Sequence, residues 1–195
     1  MELQNIELTI EDETKQGVFA ISLVGKPAIK EEFIALSENT IVLKVVDQDK
    51  RIVMGYALVP DKKIYRRMND KEFNVHFKAH TIEKTNELFM KSLNLNNITS
   101  EHEHEVSGVS VIESWITEDA KLDKIALYGI EPIVGGWAVK MKIDNDEEWG
   151  KVKNGEYSGF SIEGLYSGLD KVLAKEDKTP EEVLIEQLEQ ILNSK

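Results

Sequence analysis

The segment "NTIVLKVVDQDKRIVMGYALVPD", residues 39–61, constrains the fold most. Two runs rich in β-branched residues flank the charged turn "DQDK", the pattern of an antiparallel hairpin. Val59-Pro60-Asp61 ends the second run, since proline cannot donate to a central ladder. Further strand-length stretches follow the same logic: "IELTI", "GVFAISLV" after a turn near Gly17, "NVHFKAH", "GGWAVKMKI" and "YSGFSIEGLYSGL". In "EVSGVSVIESWITED" the alternation puts Val109, Val111 and Glu113 on one face, with Ser110, Ile112 and Ser114 on the other.

Helical signals are fewer. After a break at Pro27 comes a short segment with Ile29, Phe33, Ile34 and Leu36 apolar. Thr81 is an N-cap candidate for a helix striped by Ile82, Leu88, Phe89, Leu93 and Leu95. Asn145 or Asp146 caps a short acidic-first helix that closes at Gly155. The charged "AKEDKTP" reads as a linker, and "PEEVLIEQLEQILNSK" as an amphipathic helix needing a partner surface. These elements predict an α+β chain: a β-rich, closed or nearly closed barrel over residues 1–170 with a few surrounding helices. A linker over 171–179 and a C-terminal helix over 180–195 complete it.

With 24 basic and 36 acidic residues the formal net charge is −12, which repels a phosphate backbone. The one basic cluster, "KKIYRR" at 62–67, is too small to reverse that, so no nucleic-acid partner is expected. Without cysteine there is no disulfide, thiol nucleophile or zinc–thiolate site. The N-terminal residues lack a basic region followed by an apolar one, and no apolar run spans a bilayer. A soluble protein with neither signal peptide nor membrane partner is the expectation.

Two kinds of site suggest themselves. His76 with His80, and His102 with His104 in "SEHEHEV", have spacings seen among metal ligands, and residues i and i+2 of a strand share a face. On that alternation Glu101, Glu103 and Glu105 lie opposite the two histidines, and no aspartate joins them; a charged loop accounts for the pattern equally well. No metal or cofactor is assigned. The other site is Ser161 in "GFSIEG", a serine on a strand between Gly159 and Gly164, where small neighbours allow close substrate approach. A nucleophilic serine needs a base within hydrogen-bond reach, a group to orient the base, and donors for the oxyanion. Its G-x-S-x-x-G spacing differs from the hydrolase elbow.

"GVFAISLVGKPAIKEEFIAL", "MGYALVPDKKIYR", "SEHEHEVSGVSVIESWI", "GGWAVKMKI" and "EEWGKVKNGEYSGFSIEGL" resemble, in order, successive blocks of the XkdF-like phage serine proteases, from about residue 17 to 166. That family belongs with the prohead, or capsid maturation, proteases, which resemble the herpesvirus assemblins in fold. The resemblance implies Ser161 as nucleophile and a histidine of "SEHEHEV" as base: His102, which leaves more room before Gly108, or else His104. It implies a third member without fixing it; Glu113 in "VIESWI" is one candidate and Glu163 another. It further implies scaffold and major capsid proteins as substrates and a site of action inside the assembling prohead in the host cytoplasm; the apolar stripe of the C-terminal helix, which needs a partner surface, adds self-association as an expectation. Two other readings are a noncatalytic capsid-assembly component retaining the protease fold, and a small metal-binding module.

Overall fold

The computed structural model describes residues 3–25, 43–68 and 71–169. In chain order these form β1 (Gln4–Leu8), β2 (Gly17–Val24), β3 (Lys44–Asp47), β4 (Ile52–Leu58), β5 (Ile64–Met68), β6 (Lys71–Phe77) and α1 (Ala79–Lys91). There follow β7 (Ile98–Ser100), β8 (His104–Glu105), β9 (Val109–Ile116), β10 (Trp137–Ile143), α2 (Asp146–Lys153) and β11 (Gly159–Leu165). The predicted hairpin is the antiparallel pair β3–β4: the Asp47 side chain accepts the Lys50 N–H at 2.9 Å, and Arg51 takes a left-handed conformation to close the turn. β4 stops at Leu58, two residues before Pro60.

The strands make three sheets, ordered β1-β6-β5, β3-β4-β10-β9 and β11-β2-β7-β8. Two pairs, β1–β6 and β2–β7, are parallel. The α+β, strand-rich reading holds, with two α-helices among the described residues, but the barrel does not. A barrel needs one ladder that returns to its first strand. Among the described residues each ladder ends in edges, and a bridge between Thr9 and Ser167 joins the end of β1 to the chain after β11. β4 and β10 are buried at nearly every residue, so their sheet is covered on both faces, yet among the described residues its ladder still ends at β3 and β9. β11 packs against β4, and α1 against β2, β9 and β10, its Phe89 ring meeting Trp137 edge-on at 5.2 Å.

α1 begins at Ala79, after an N-cap at Lys78 that uses no side-chain bond, and not at Thr81. Thr81 is buried within the first turn, where its carbonyl accepts the Thr85 hydroxyl at 2.8 Å. Burial of that helix face against the sheets outweighed the capping preference of threonine. Ile82 and Phe89 lie in the core as the stripe predicts, but Leu93 falls past the helix end and is exposed. α2 follows its sequence closely. Asn145 accepts the N–H groups of Glu147 at 3.0 Å and Glu148 at 3.1 Å, and Gly155 supplies a positive φ just beyond the helix. Asn145→Ala is therefore expected to cost about 1 kcal/mol of stability, read as a lowered urea midpoint at unchanged slope. The linker and C-terminal helix expected over 171–195, and the segment expected after Pro27, lie outside the described residues.

Candidate active site

β11 carries two faces. Phe160 and Ile162 are buried in the core, registered with Leu23 and Ile21 of β2. Ser161 and Glu163 occupy the other face, registered with Ser22 and Ala20, and the parallel pairing of β7 sets Thr99 beside Ser22. Ser161, Ser22, Thr99 and Glu163 thus line one side of three adjacent strands. Just after Glu163 the register slips at Gly164, where a Cβ would lie 2.5 Å from the Gly17 carbonyl oxygen. That close approach is why the second glycine of "GFSIEG" stands where it does.

The histidine reaches this face through a tight turn. β7 ends at Ser100, and the next two residues, Glu101 (φ 51°) and His102 (φ 60°), are both left-handed. Non-glycine residues pay for that conformation, so the surroundings must hold it. The Glu101 N–H donates to the Leu23 carbonyl at 3.0 Å, and its carboxylate accepts the Gly25 N–H at 2.5 Å. The His102 N–H donates to the Ser22 hydroxyl oxygen at 3.0 Å, and Glu103 N–H to the Ser100 carbonyl at 2.9 Å.

The turn brings the His102 ring onto Glu163: Nδ1 lies 3.0 Å from Oε1, and the Thr99 hydroxyl donates to the same oxygen. A carboxylate accepts and cannot donate, so Nδ1 is the nitrogen that carries a proton toward Glu163, and in the neutral form of the ring the lone pair falls to Nε2. The His102 and Glu163 side chains are 9% and 13% exposed, and Ser161 is 1% exposed. A substrate carbonyl therefore reaches Ser161 only after local displacement of the groups above it. Beside Glu163 a cleft of about 510 Å³ opens, bordered by Phe19, Ala20, Asn97, Thr99 and Glu105.

The other candidates fall elsewhere. His104 lies in β8 opposite Ser100, on the face away from Thr99, with its side chain 77% exposed. Glu113 belongs to a different sheet, on β9 opposite Lys140. Partial burial works against its charge, but hydrogen bonds from Lys124 and Lys140 outweigh that and hold its carboxyl below the usual range. The carboxylate that meets His102 is Glu163. His76 Nδ1 sits 3.7 Å from Asp61, and His80 is exposed in the first turn of α1. No three histidine, aspartate or glutamate side chains among the described residues are placed to hold one metal ion.

Ser22 and Thr99 escaped the sequence reading, because nothing local distinguishes a buried strand serine or threonine with a polar role from one without. Glu163 was already a candidate in the sequence, where it stands two residues after Ser161, on the same face of a strand.

On the opposite, core side of β7, Ser100 Oγ lies 2.5 Å from the Tyr157 hydroxyl, which donates to the buried Glu148 carboxylate. Burial first, then that hydrogen bond, push the Tyr157 hydroxyl up to about 12. A folded-state value above the unfolded one stabilises below pH about 10. That contribution is lost as pH rises from about 10 through about 12. Stability measured by urea unfolding is expected to fall across this window, and Tyr157→Phe to flatten that part of the decline.

Residues 38–169 match the family model described as "Putative phage serine protease XkdF". The chain belongs to the XkdF family. The match contains His102, Ser161 and Glu163 and stops short of β2 and its Ser22. No curated protein and no solved structure matched the chain. The family description points to a phage serine protease and assigns no catalytic residue of this chain. No helix among its described residues is long and apolar enough to cross a membrane.

Proposed function

We propose that this XkdF-family chain is the prohead protease of a phage, cleaving scaffold and capsid-protein peptide bonds during head assembly, with Ser161 as nucleophile, His102 as base and Glu163 as the acid that orients it. The observation that carries this reading is the Glu163 carboxylate on His102 Nδ1 at 3.0 Å, on the same strand face as Ser161. A base oriented by a carboxylate, on the sheet face that carries a serine, is the arrangement acyl transfer requires. His102 Nε2 takes the Ser161 proton as the oxygen attacks the carbonyl. The imidazolium that forms is stabilised by Glu163, and its proton then passes to the leaving amine. Backbone N–H groups hold the oxyanion, and water, activated by the same histidine, releases the acyl group. The cleft beside Glu163 offers room for substrate side chains next to the scissile bond.

Co-expression with the cognate scaffold and major capsid proteins tests the proposal. Truncated products should appear with the native chain and vanish with Ser161→Ala. Intact scaffold and capsid protein beside the native chain, with capsids still assembled, would favour the noncatalytic reading.

A further inference from the structure

Ser22 is fully buried on the face of β2 that carries the candidate site, directly across the antiparallel ladder from Ser161. Side chains at such paired positions stand about 5 Å apart at Cβ. Its hydroxyl nevertheless serves the histidine through the backbone. Ser22 Oγ accepts the His102 N–H at 3.0 Å and lies 3.4 Å from the Thr99 carbonyl, its nearer carbonyl acceptor. His102 is the second of two consecutive left-handed residues, a conformation that relaxes toward the extended or right-handed region unless it is held. Glu101 is tied by both its N–H and its carboxylate, while the His102 backbone N–H is held by the Ser22 hydroxyl.

We infer that Ser22 is a positioning residue for catalysis: its hydroxyl holds the His102 backbone in the left-handed turn that keeps Nδ1 on Glu163. This rests on the protease reading for its catalytic consequence, though not for its structural one. Ser22 lies outside the residues matched to the family, so its role comes from the geometry alone. With the hydroxyl removed, the His102 N–H loses a buried acceptor, the turn relaxes, and the ring leaves the carboxylate for part of the time.

The test has a kinetic and a spectroscopic arm. In Ser22→Ala, kcat for a peptide substrate is expected to fall at least tenfold with KM within twofold, since substrate contacts are untouched. A folded Ser22→Ala enzyme with native kcat would overturn the inference. So would a loss confined to KM. Nitrogen NMR of the His102 ring reads the same effect without any substrate. The native chain should show the Nδ1–H tautomer, and Ser22→Ala should average the two tautomers; identical spectra would overturn the inference. Should Ser22→Ala not fold, Ser22→Cys keeps a side chain of similar shape with a poorer acceptor, and the same shift toward averaging is expected. In the native chain the His102 amide should resist hydrogen exchange as well as the β7 amides; exchange at the rate of an open loop would refute the hydroxyl tie. An inactive native chain that still passes the spectroscopic arm would sink the protease reading and leave Ser22 as the anchor of the turn.

Discussion

Ser161→Ala is expected to lower the rate of peptide cleavage by roughly 10⁴-fold or more while leaving the fold intact, because in the proposed mechanism the nucleophile and the base act as a unit. His102→Ala should cost nearly as much, and the double variant little more than either alone. His104→Ala provides the contrast. Its side chain is 77% exposed on the far face of the sheet, so its loss should change kcat/KM less than twofold. Single-turnover cleavage of a scaffold-derived peptide, with circular dichroism on each variant, separates loss of chemistry from loss of fold. Cleavage surviving Ser161→Ala would remove the serine from the mechanism, and equal damage from His102→Ala and His104→Ala would remove the assignment of the base.

The second large effect concerns the acid. Glu163→Gln preserves shape but offers an amide to His102, which no longer fixes Nδ1 as the protonated nitrogen nor stabilises the imidazolium; a loss of about 10³- to 10⁴-fold in kcat is expected. Glu113→Gln breaks the ion pairs with Lys124 and Lys140 and leaves the buried Lys140 short of its partner. That change should lower stability by about 1–3 kcal/mol with kcat at native level well below the melting temperature. Measuring both variants for kcat and for urea midpoint distinguishes the two carboxylates. A catalytic loss from Glu113→Gln with full activity in Glu163→Gln would reverse their roles.

The elements that local patterning predicted are those whose causes are local. The β3–β4 hairpin, the stop before Pro60, the Asn145 cap and the glycine beyond α2 each depend on a few neighbouring residues. Ser161 could be singled out for the same reason: a glycine on either side of a serine in an apolar strand is visible in "GFSIEG" itself. "KKIYRR" was read only as charge, whereas Ile64–Met68 is a strand. It forms because β6 lies alongside to pair with it, antiparallel from Ile64↔Val75 to Met68↔Lys71.

The choice between histidines shows the boundary most clearly. Strict alternation through "SEHEHEV" would put His102 and His104 on one face and the glutamates on the other. Two left-handed residues break that alternation, turning His102 inward to Glu163 while His104 stays in solvent. Their conformation is imposed by partners distant in sequence, Ser22, Leu23 and Gly25, so no window around residue 102 contains the cause. The acid was decided in the same way. Glu113 and Glu163 are both strand glutamates in the sequence, but two lysines from neighbouring segments engage one and a histidine from the β7 turn engages the other.

By itself, then, the amino-acid sequence determined a strand-rich α+β chain, its family and a candidate serine, because periodicity, turn residues and short motifs act over a few positions. The three-sheet arrangement in place of a barrel was decided by the tertiary structure, as were the pairing of His102 with Glu163 and the burial of Ser161 and Ser22 face to face. Each of these depends on register between strands far apart in sequence, such as those that pair Ser22 with Ser161. Register is set by which faces can be buried together, a property of the assembled core and of no single segment.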